Sequence, residues 1–319
     1  MRVGITCYHT YGGSGTIATE LGIALAARGH EVHFIAYQQP FRLPVLLPRI
    51  YFHQVDVSRY PLSDFPPYDL ALAVLMRDIV QTHRLEILHV HYAIPHATSA
   101  WLAREMLREG GSDVRIVTTL HGTDVTLIGY DPSFHAIAKF SIERSDGITA
   151  VSHYLQQETY KAFGCASNVE VIHNFIDPNI YDRTRYPVSL REKFGVHRCV
   201  LIHVSNFRPI KRVRDVVRIF SLVQRELPSA LVMIGDGPDL ASAQQEARVL
   251  GVSDCTFFLG KLDVVAPFLA CGDLFLLPSQ NESFGLSALE ALACGIPVVA
   301  SRVGGLLEVG RRRRHRCFA

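Results

Sequence analysis

The stretch Arg2–Ala36, RVGITCYHTYGGSGTIATELGIALAARGHEVHFIA, decides the fold of the N-terminal half of the chain. Apolar, β-rich residues predict strands at Val3–Cys7 and Val32–Ala36, and the pattern between them predicts a helix at Thr16–Arg28. A strand, a glycine-rich turn, a helix and a second strand form a βαβ unit with parallel strands. Because both strands are apolar throughout, we expect helices to cover both faces of the sheet.

The same alternation continues along the chain in two blocks. In the first block we predict further strands at Ile50–Val55, Ile87–His91, Arg115–Leu120, Gly147–Val151 and Val169–His173. The helices predicted between them are Leu70–His83, Ala97–Glu109, His135–Arg144 and Tyr154–Ala162. In the second block we predict strands at Val200–Val204, Ala230–Ile234, Cys255–Leu259, Leu274–Leu277 and Pro297–Ala300. Its helices are predicted at Val213–Glu226, Leu240–Leu250, Val264–Ala270 and Gly285–Cys294.

An irregular, proline-bearing segment at Asn174–Pro187 separates the two blocks and is typical of a domain boundary. We therefore predict an α/β protein with two Rossmann-like, doubly wound parallel-sheet domains, 1–178 and 179–308, followed by a basic tail at 309–319. Such sheets bind ligands at the carboxyl ends of their strands. With two units, we expect the site in the cleft between them.

Composition restricts the class of protein. The chain has 319 residues, 48% hydrophobic and 19% charged, with a formal net charge of +2, so its overall charge does not favour nucleic acid. The 7 cysteines are scattered without a C-x-x-C pair, which suits a reducing compartment. The N-terminus has no signal-peptide pattern, and no apolar run has the length of a membrane span. We expect a cytoplasmic protein, and the sequence leaves homo-oligomer formation open.

The glycine-rich turn is the first candidate for ligand binding. Gly13, Ser14 and Gly15 come between a strand and a helix, where glycines permit close backbone approach and the helix N-terminus favours an anion. A dinucleotide site would need an acid at the end of the second strand, but Phe34–Gln39 contains none, and no Gly-Lys-Ser/Thr follows for a triphosphate loop. The alternative is a tight strand–helix turn without a ligand.

Histidines follow the predicted strand ends in HVHYAIPH (89–96) and in LHGTD (120–124). Metal binding is one interpretation of His89, His91 and His96, but their spacing matches no metal motif. A strand-end histidine is more often structural. His121, followed by glycine, is the histidine that we favour as functional.

Cations and a glycine turn follow two strands of the second block. Arg208 and Lys211 leave one strand end together, and two fixed cations suit a diphosphate. Gly235-Asp-Gly-Pro238 follows another strand and has the composition of a turn. The alternative for the cations is a solvated basic loop.

Two glutamates stand in QNESFGLSALEALACG (280–295). Glu290 lies inside the predicted helix, while Glu282 precedes it, and Ser279 or Asn281 is expected to cap it. Eight helical residues rotate by about 800°, which leaves about 80° between the ends. Because Glu282 can fold over the helix start, both acids can reach one bound molecule from two sides, and carboxylates suit vicinal hydroxyls such as those of a ribose or a hexose. The alternative is that neither acid binds a ligand, one capping the helix and the other lying on its surface.

In this order, the motifs resemble those of the retaining GT-B glycosyltransferases of family 4, including their E-x7-E motif at Glu282–Glu290. The resemblance covers nearly the whole chain and implies a UDP-sugar donor and no metal cofactor. It implies catalytic roles for His121, Arg208, Lys211 and Glu282. It implies donor-binding roles for Gly13, Gly15, Gly237, Ser283, Phe284, Gly285, Leu286 and Glu290.

Within that family, Glu290 matches the residue that holds the ribose, and Glu282 the one that contacts the donor sugar. Backbone N–H groups at Ser283–Leu286 match those that face the diphosphate. Arg208 and Lys211 would neutralise the leaving group, and His121 would lie beside the sugar. No enzymatic nucleophile is implied, because retention is attributed to front-face attack.

Finer motifs, such as TLHGTDVTLIGYDPS (119–133) and HNFID (173–177), resemble the branch of the family that transfers N-acetylglucosamine from UDP-GlcNAc to L-malate in bacillithiol biosynthesis. For the malate we predict contacts with Ser14, Tyr92, Thr119 and Asn174. The rivals are a family member with another acceptor, an inositol phosphate or a lipid-linked sugar, and a non-catalytic nucleotide-binding remnant.

The tail departs from the family pattern, which continues beyond Glu308 with another strand and several helices. Here VGRRRRHRCFA (309–319) follows instead. We interpret this as a frameshifted or truncated reading frame, and expect an incomplete second domain, low solubility and little or no turnover. A basic tail that contacts nucleic acid or membrane is the alternative, and nothing else in the sequence supports it.

Overall fold

The computed structural model describes residues 1–9, 12–44, 46–57, 67–165, 167–187, 189–195, 199–309 and 317–318. They form two compact units, Met1–His173 and Asn174–Ala319. The division falls at the start of the irregular Asn174–Pro187 segment. Residues 310–316 and 319 of the predicted basic tail lie outside the described residues, as does Tyr11.

Unit 1 is a seven-stranded sheet with helices between its strands. The strands are β1 (Arg2–Thr6), β2 (Glu31–Ala36), β3 (Ile50–Gln54), β4 (Ile87–His91), β5 (Arg115–Leu120), β6 (Gly147–Ala150) and β7 (Val169–Val171). The helices are α1 (Gly13–Ala27), α2 (Tyr68–His83), α3 (Thr98–Glu109), α4 (Thr123–Thr126), α5 (His135–Glu143) and α6 (His153–Phe163). Shorter helical turns lie at Ala93–Ala97 and Ile128–Tyr130.

Unit 2 is built on a six-stranded sheet. Its strands are β8 (Cys199–Val204), β9 (Ser229–Ile234), β10 (Thr256–Gly260), β11 (Leu274–Leu277), β12 (Val298–Ala300) and β13 (Cys317–Phe318). Its helices are α7 (Ser189–Glu192), α8 (Val213–Glu226), α9 (Leu240–Val249), α10 (Ala266–Leu269) and α11 (Leu286–Ala293). Short 3-10 turns lie at Arg183–Arg185, Pro209–Lys211, Ser253–Cys255 and Gly304–Leu307.

The strand order confirms the predicted fold class. Unit 1 has the order β3-β2-β1-β4-β5-β6-β7, and unit 2 has the order β10-β9-β8-β11-β12-β13. All of these pairings are parallel. In each unit the order reverses next to the first strand, which makes a switch point between β1 and β4 and another between β8 and β11. Loops at such a point diverge and leave room for a ligand.

Burial explains why the strands read as unbroken apolar runs. In β9, all six residues are buried, and in β1 only Arg2 is not fully enclosed. Helix α8 is amphipathic, and its buried face, which includes Val213, Val217 and Phe220, packs over the sheet of unit 2. Among the described residues, no helix is both long and apolar enough to cross a membrane.

Candidate active site

In unit 1, loops from both sides of the switch point bring predicted residues together. The first turn of α1, just after the β1–α1 loop, carries Gly13, Ser14 and Gly15, and Thr16 Oγ1 donates to the Gly12 carbonyl at 3.1 Å. Across the switch point, the residue after β4 is Tyr92, whose hydroxyl donates to Ser14 Oγ at 3.1 Å. Two of the predicted acceptor-binding residues are therefore neighbours.

The other two predicted acceptor residues are placed differently. Thr119 is buried, and its hydroxyl lies 2.7 Å from His89 Nε2 and 2.8 Å from Thr149 Oγ1. These internal partners occupy most of its hydrogen-bonding capacity. Asn174 is half-buried and is the first residue of unit 2.

His121 is the last of three successively stacked imidazole rings, those of His89, His91 and His121. His91 Nδ1 lies 2.7 Å from His121 Nε2, and the ring centroids of His89 and His91 are 4.8 Å apart. The rings of Tyr92 and His121 are 5.4 Å apart. Burial lowers the pKa of His89 to about 4 and that of His121 to about 3, so both rings are neutral at neutral pH. A neutral ring at the strand end can lie beside a centre of developing positive charge without repelling it.

Asp124 fixes the backbone that carries His121, and sequence reasoning did not assign it a role. It is fully buried, and its Oδ1 accepts from the N–H groups of Gly122 at 2.9 Å and His121 at 3.3 Å. Burial raises the pKa of this carboxyl to about 6. In the sequence, Asp124 could have been recognised as an aspartate two residues after a glycine at a strand–helix turn. In the structure, that glycine, Gly122, has a φ of +132°.

Acid is expected to destabilise the protein as the pH falls from about 6.5 towards 4. Burial lowers the pKa of His89, His96 and His203 from 6.5 to about 4, so in this window the unfolded chain binds protons that the folded chain does not. Stability must then fall as the pH falls. Asp124 acts in the opposite direction, but it is one group, and each pKa unit contributes about 1.4 kcal/mol.

Thermal unfolding measured from pH 7.5 to pH 5 tests this expectation. His203→Gln should flatten the pH dependence, because this imidazole is buried and lies 2.8 Å from Ser205 Oγ. His30→Gln, at a position that is not fully buried, serves as the control. A melting temperature that does not change across the range would contradict the assignment.

In unit 2, the loops after β8 and β11 meet through an ion pair. Lys211 Nζ donates to Glu282 Oε1 at 2.6 Å, and the same oxygen accepts from Ser279 Oγ at 2.8 Å. The two side chains are 19% and 10% exposed, so the pair is largely shielded from water. Arg208 lies in the same turn, is exposed, and forms no ion pair with the described residues. The structure thus joins two predicted catalytic residues, Lys211 and Glu282, and leaves Arg208, the other predicted cation, accessible.

Glu290 is buried in α11, and its Oε1 accepts from Tyr181 Oη at 2.5 Å. Sequence reasoning missed Tyr181, because the two residues are far apart along the chain. A carboxylate has about four lone-pair sites, so Glu290 can accept more than one hydrogen bond.

Helix α11 begins within one residue of the predicted start, but its capping residue differs from the prediction. The residue that caps it is Gly285, not Ser279 or Asn281, and no side chain caps it. Gly285 has a φ of +94°, and a Cβ there would lie 2.3 Å from Leu306 Cδ2. Because Ser279 donates to Glu282 instead, the capping prediction was wrong.

Two glycine contacts hold the site loops in place. A Cβ at Gly305 would lie 2.1 Å from the Ser283 carbonyl, while the Gly305 N–H donates to the Glu282 carbonyl at 2.8 Å. A Cβ at Gly237 would lie 2.4 Å from the Asn206 carbonyl. The predicted donor-binding residue Gly237 therefore packs against the loop that leads to Arg208.

Two family profiles match successive parts of the chain. The family profile for Glycosyltransferase Family 4 matches residues 11–180, and the one for Glycosyl transferases group 1 matches residues 198–318. The chain is 49% identical, over 311 residues, to N-acetyl-alpha-D-glucosaminyl L-malate synthase of Bacillus anthracis, a match that covers 97% of this chain and 81% of that protein.

A second relative and a solved structure extend the comparison. Over 272 residues, the chain is 30% identical to a GDP-mannose-dependent alpha-(1-6)-phosphatidylinositol monomannoside mannosyltransferase of Mycolicibacterium smegmatis, with 79% of this chain and 67% of that protein covered. The crystal structure of Anabaena HepE in complex with UDP and glucose superposes with a TM-score of 0.79 at 20% identity, covering 99% of this chain and 85% of that one. The structural likeness shows a shared fold.

Proposed function

The chain belongs to glycosyltransferase family 4, and from this premise we propose that it transfers N-acetylglucosamine from UDP-GlcNAc to the hydroxyl of L-malate with retention of configuration. The observation that carries the proposal is the 49% identity over 97% of the chain to a synthase of that name. We propose that this transfer is the first step of bacillithiol biosynthesis. The cytoplasm is the proposed location, in keeping with six cysteines that are free thiols among the described residues.

The donor is proposed to bind at the switch point of unit 2. Glu290 would accept hydrogen bonds from the ribose hydroxyls, with Tyr181 holding its carboxylate in place. Backbone N–H groups from Ser283 to Leu286, which lead into the first turn of α11, would face the diphosphate, since the N-terminus of a helix favours an anion.

Bond cleavage is proposed to depend on Arg208 and Lys211. When the bond between the sugar and the diphosphate breaks, negative charge develops on the leaving oxygen, and fixed cations stabilise it. Lys211 would have to exchange part of its contact with Glu282 for the phosphate. Glu282 would then be available to the hydroxyls of the sugar, so one substrate would redirect both members of the pair.

The acceptor is proposed to bind at the switch point of unit 1. Ser14 and Tyr92, which are 3.1 Å apart, offer hydroxyl groups to the malate carboxylates. The N-terminus of α1 contributes favourable potential for an anion, and its first turn carries no acidic residue. Thr119 and Asn174 remain proposed acceptor residues, and His121 would lie beside the donor sugar.

Release of UDP from UDP-GlcNAc in the presence of different acceptors tests the proposal. We expect L-malate to accelerate release well above the rate without acceptor, and inositol phosphate or a phosphatidylinositol mannoside to have little effect. Activity is expected to persist in EDTA, because two cations and not a metal are assigned to the leaving group. Acceleration by another acceptor alone would overturn the malate assignment.

A further inference from the structure

Three histidines from three elements of unit 1 lie together outside the proposed active site. His33 belongs to β2, His53 to the edge strand β3, and His83 is the last residue of α2. One ring nitrogen of each lies within 4.8 Å of those of the other two. The centroid of the His33 ring is 4.4 Å from that of His83 and 5.2 Å from that of His53. We refer to these three residues as the edge histidine cluster.

Hydrogen bonds determine which ring nitrogens carry protons. His33 Nε2 lies 2.9 Å from Glu31 Oε1, so this nitrogen donates, and Nδ1 of the neutral ring holds a lone pair. His53 Nε2 lies 2.9 Å from that Nδ1 and must donate to it. The lone pair of His33 therefore points towards His53 Nε2, on the side of the ring away from Glu31.

This arrangement matches the surroundings of metal-binding histidines. Such a histidine usually donates its second ring N–H to a carboxylate, which fixes the tautomer and increases the basicity of the ligand nitrogen. Glu31 stands in that relation to His33. Glu31 is not one of the three histidines, so its hydrogen bond to His33 is evidence independent of how close the three rings lie.

The His33 imidazole is in the form that binds metal. Its Nε2 donates to Glu31 and its Nδ1 accepts from His53, so Nδ1 carries no proton. Metal ions require the deprotonated nitrogen. His83 also lies at the C-terminal end of α2, where the helix dipole favours a cation.

We propose that the edge histidine cluster binds a divalent transition-metal cation of the zinc class, with His33, His53 and His83 as ligands and Glu31 as the positioning carboxylate. Zinc–nitrogen bonds of about 2.0–2.1 Å place tetrahedral ligand atoms about 3.3 Å apart. The hydrogen-bonded nitrogens of His33 and His53 would separate by about half an ångström, and the proton of His53 would move from Nε2 to Nδ1. Water would take the fourth position.

Such an ion would link the edge strand β3 to helix α2. A metal bound by β2, β3 and α2 would join these elements directly. Imidazole ligands suit Zn²⁺, Cu²⁺ or Ni²⁺, and not Mg²⁺.

Calorimetric titration of the full chain with Zn²⁺, and separately with Mg²⁺, tests the proposal. We expect one tight Zn²⁺ per chain and no comparable Mg²⁺ binding. His53→Gln and His83→Gln should each weaken Zn²⁺ binding by more than tenfold, and Glu31→Gln by about tenfold or more. His30→Gln is the matched control, because the chain has 15 histidines and weak sites elsewhere must be subtracted.

A Co²⁺ titration provides a readout that does not depend on activity or stability. The visible spectrum of tetrahedral cobalt should develop with the wild-type chain and with His30→Gln, and be lost with His83→Gln, whose half-buried position at a helix end tolerates substitution. A stoichiometric Zn²⁺ site that persists in both ligand variants, or a wild-type chain without one, would overturn the proposal. Transfer of the sugar is expected to be unchanged in His83→Gln, so this test is separate from that of the proposed function.

Discussion

Lys211→Met is expected to lower turnover by about two to three orders of magnitude, the range observed when one preorganised group that stabilises transition-state charge is removed. Lys211 is largely buried, lies in the turn that carries Arg208, and points its ammonium at Glu282 from 2.6 Å. In the proposed reaction, the same ammonium stabilises the departing diphosphate. Steady-state kinetics with UDP-GlcNAc and L-malate measure the effect, and kcat should fall more than the affinity for UDP.

The matched control is Lys161→Met, which removes an exposed lysine that pairs with Glu158 on α6. Lys211→Arg should restore part of the activity, since it keeps the charge. A double variant, Lys211→Met with Glu282→Gln, separates two causes of the loss. If the double variant regains normal turnover, the harm came from an unpaired Glu282 carboxylate, and the assignment of Lys211 to the leaving group is wrong.

Glu290→Ala is expected to weaken binding of UDP itself by about 10- to 100-fold. A hydrogen bond to a charged group contributes about 1.5–3 kcal/mol, and every 1.4 kcal/mol is a factor of ten in affinity. Glu282→Ala should instead leave UDP affinity unchanged or slightly higher, because it releases Lys211 from its ion pair, while turnover falls.

Calorimetry with UDP distinguishes the two glutamates. Tyr181→Phe is the structural control, since it removes only the hydroxyl that donates to Glu290, and we expect a loss of less than about tenfold. Equal UDP affinity in the Glu290 and Glu282 variants would contradict the assignment of Glu290 to the ribose and of Glu282 to the donor sugar. Melting temperatures measured in parallel show whether Glu290→Ala acts through the site or through the packing of α11.

Most of the fold could be predicted from local patterns. The bounds predicted for β5, α8 and β11 are those of the structure, because an apolar run of strand length or an amphipathic helical period is determined by neighbouring residues alone. The switch points follow from the order of the elements. The start of α11 was predicted to within one residue, but its cap was not, because the Gly285 cap depends on a contact with Leu306 that no local pattern signals.

The candidate site could be predicted as a set of residues but not as a set of contacts. Glycines, cations and acids that directly follow predicted strands can be recognised in the sequence. Because parallel strands end at one edge of a sheet, these residues can be expected to lie near one another. Pairs such as Lys211 with Glu282, His91 with His121, and Tyr181 with Glu290 join residues far apart in sequence, and each needs the finished fold. Thr119 illustrates the difference, since a polar residue at a strand exit proved to hydrogen-bond inside the protein.

The contact of Gly305 with the loop before α11 has a consequence for biosynthesis. Chains emerge from the ribosome N-terminus first, and domains generally fold in that order. Unit 1 and strands β8 to β11 can form before residue 305 is synthesised, but the Glu282 carbonyl then has no Gly305 N–H to accept from, and Leu306 is not yet packed beside Gly285. The nascent protein therefore completes its proposed nucleotide pocket only after the Gly304–Leu307 turn has been translated.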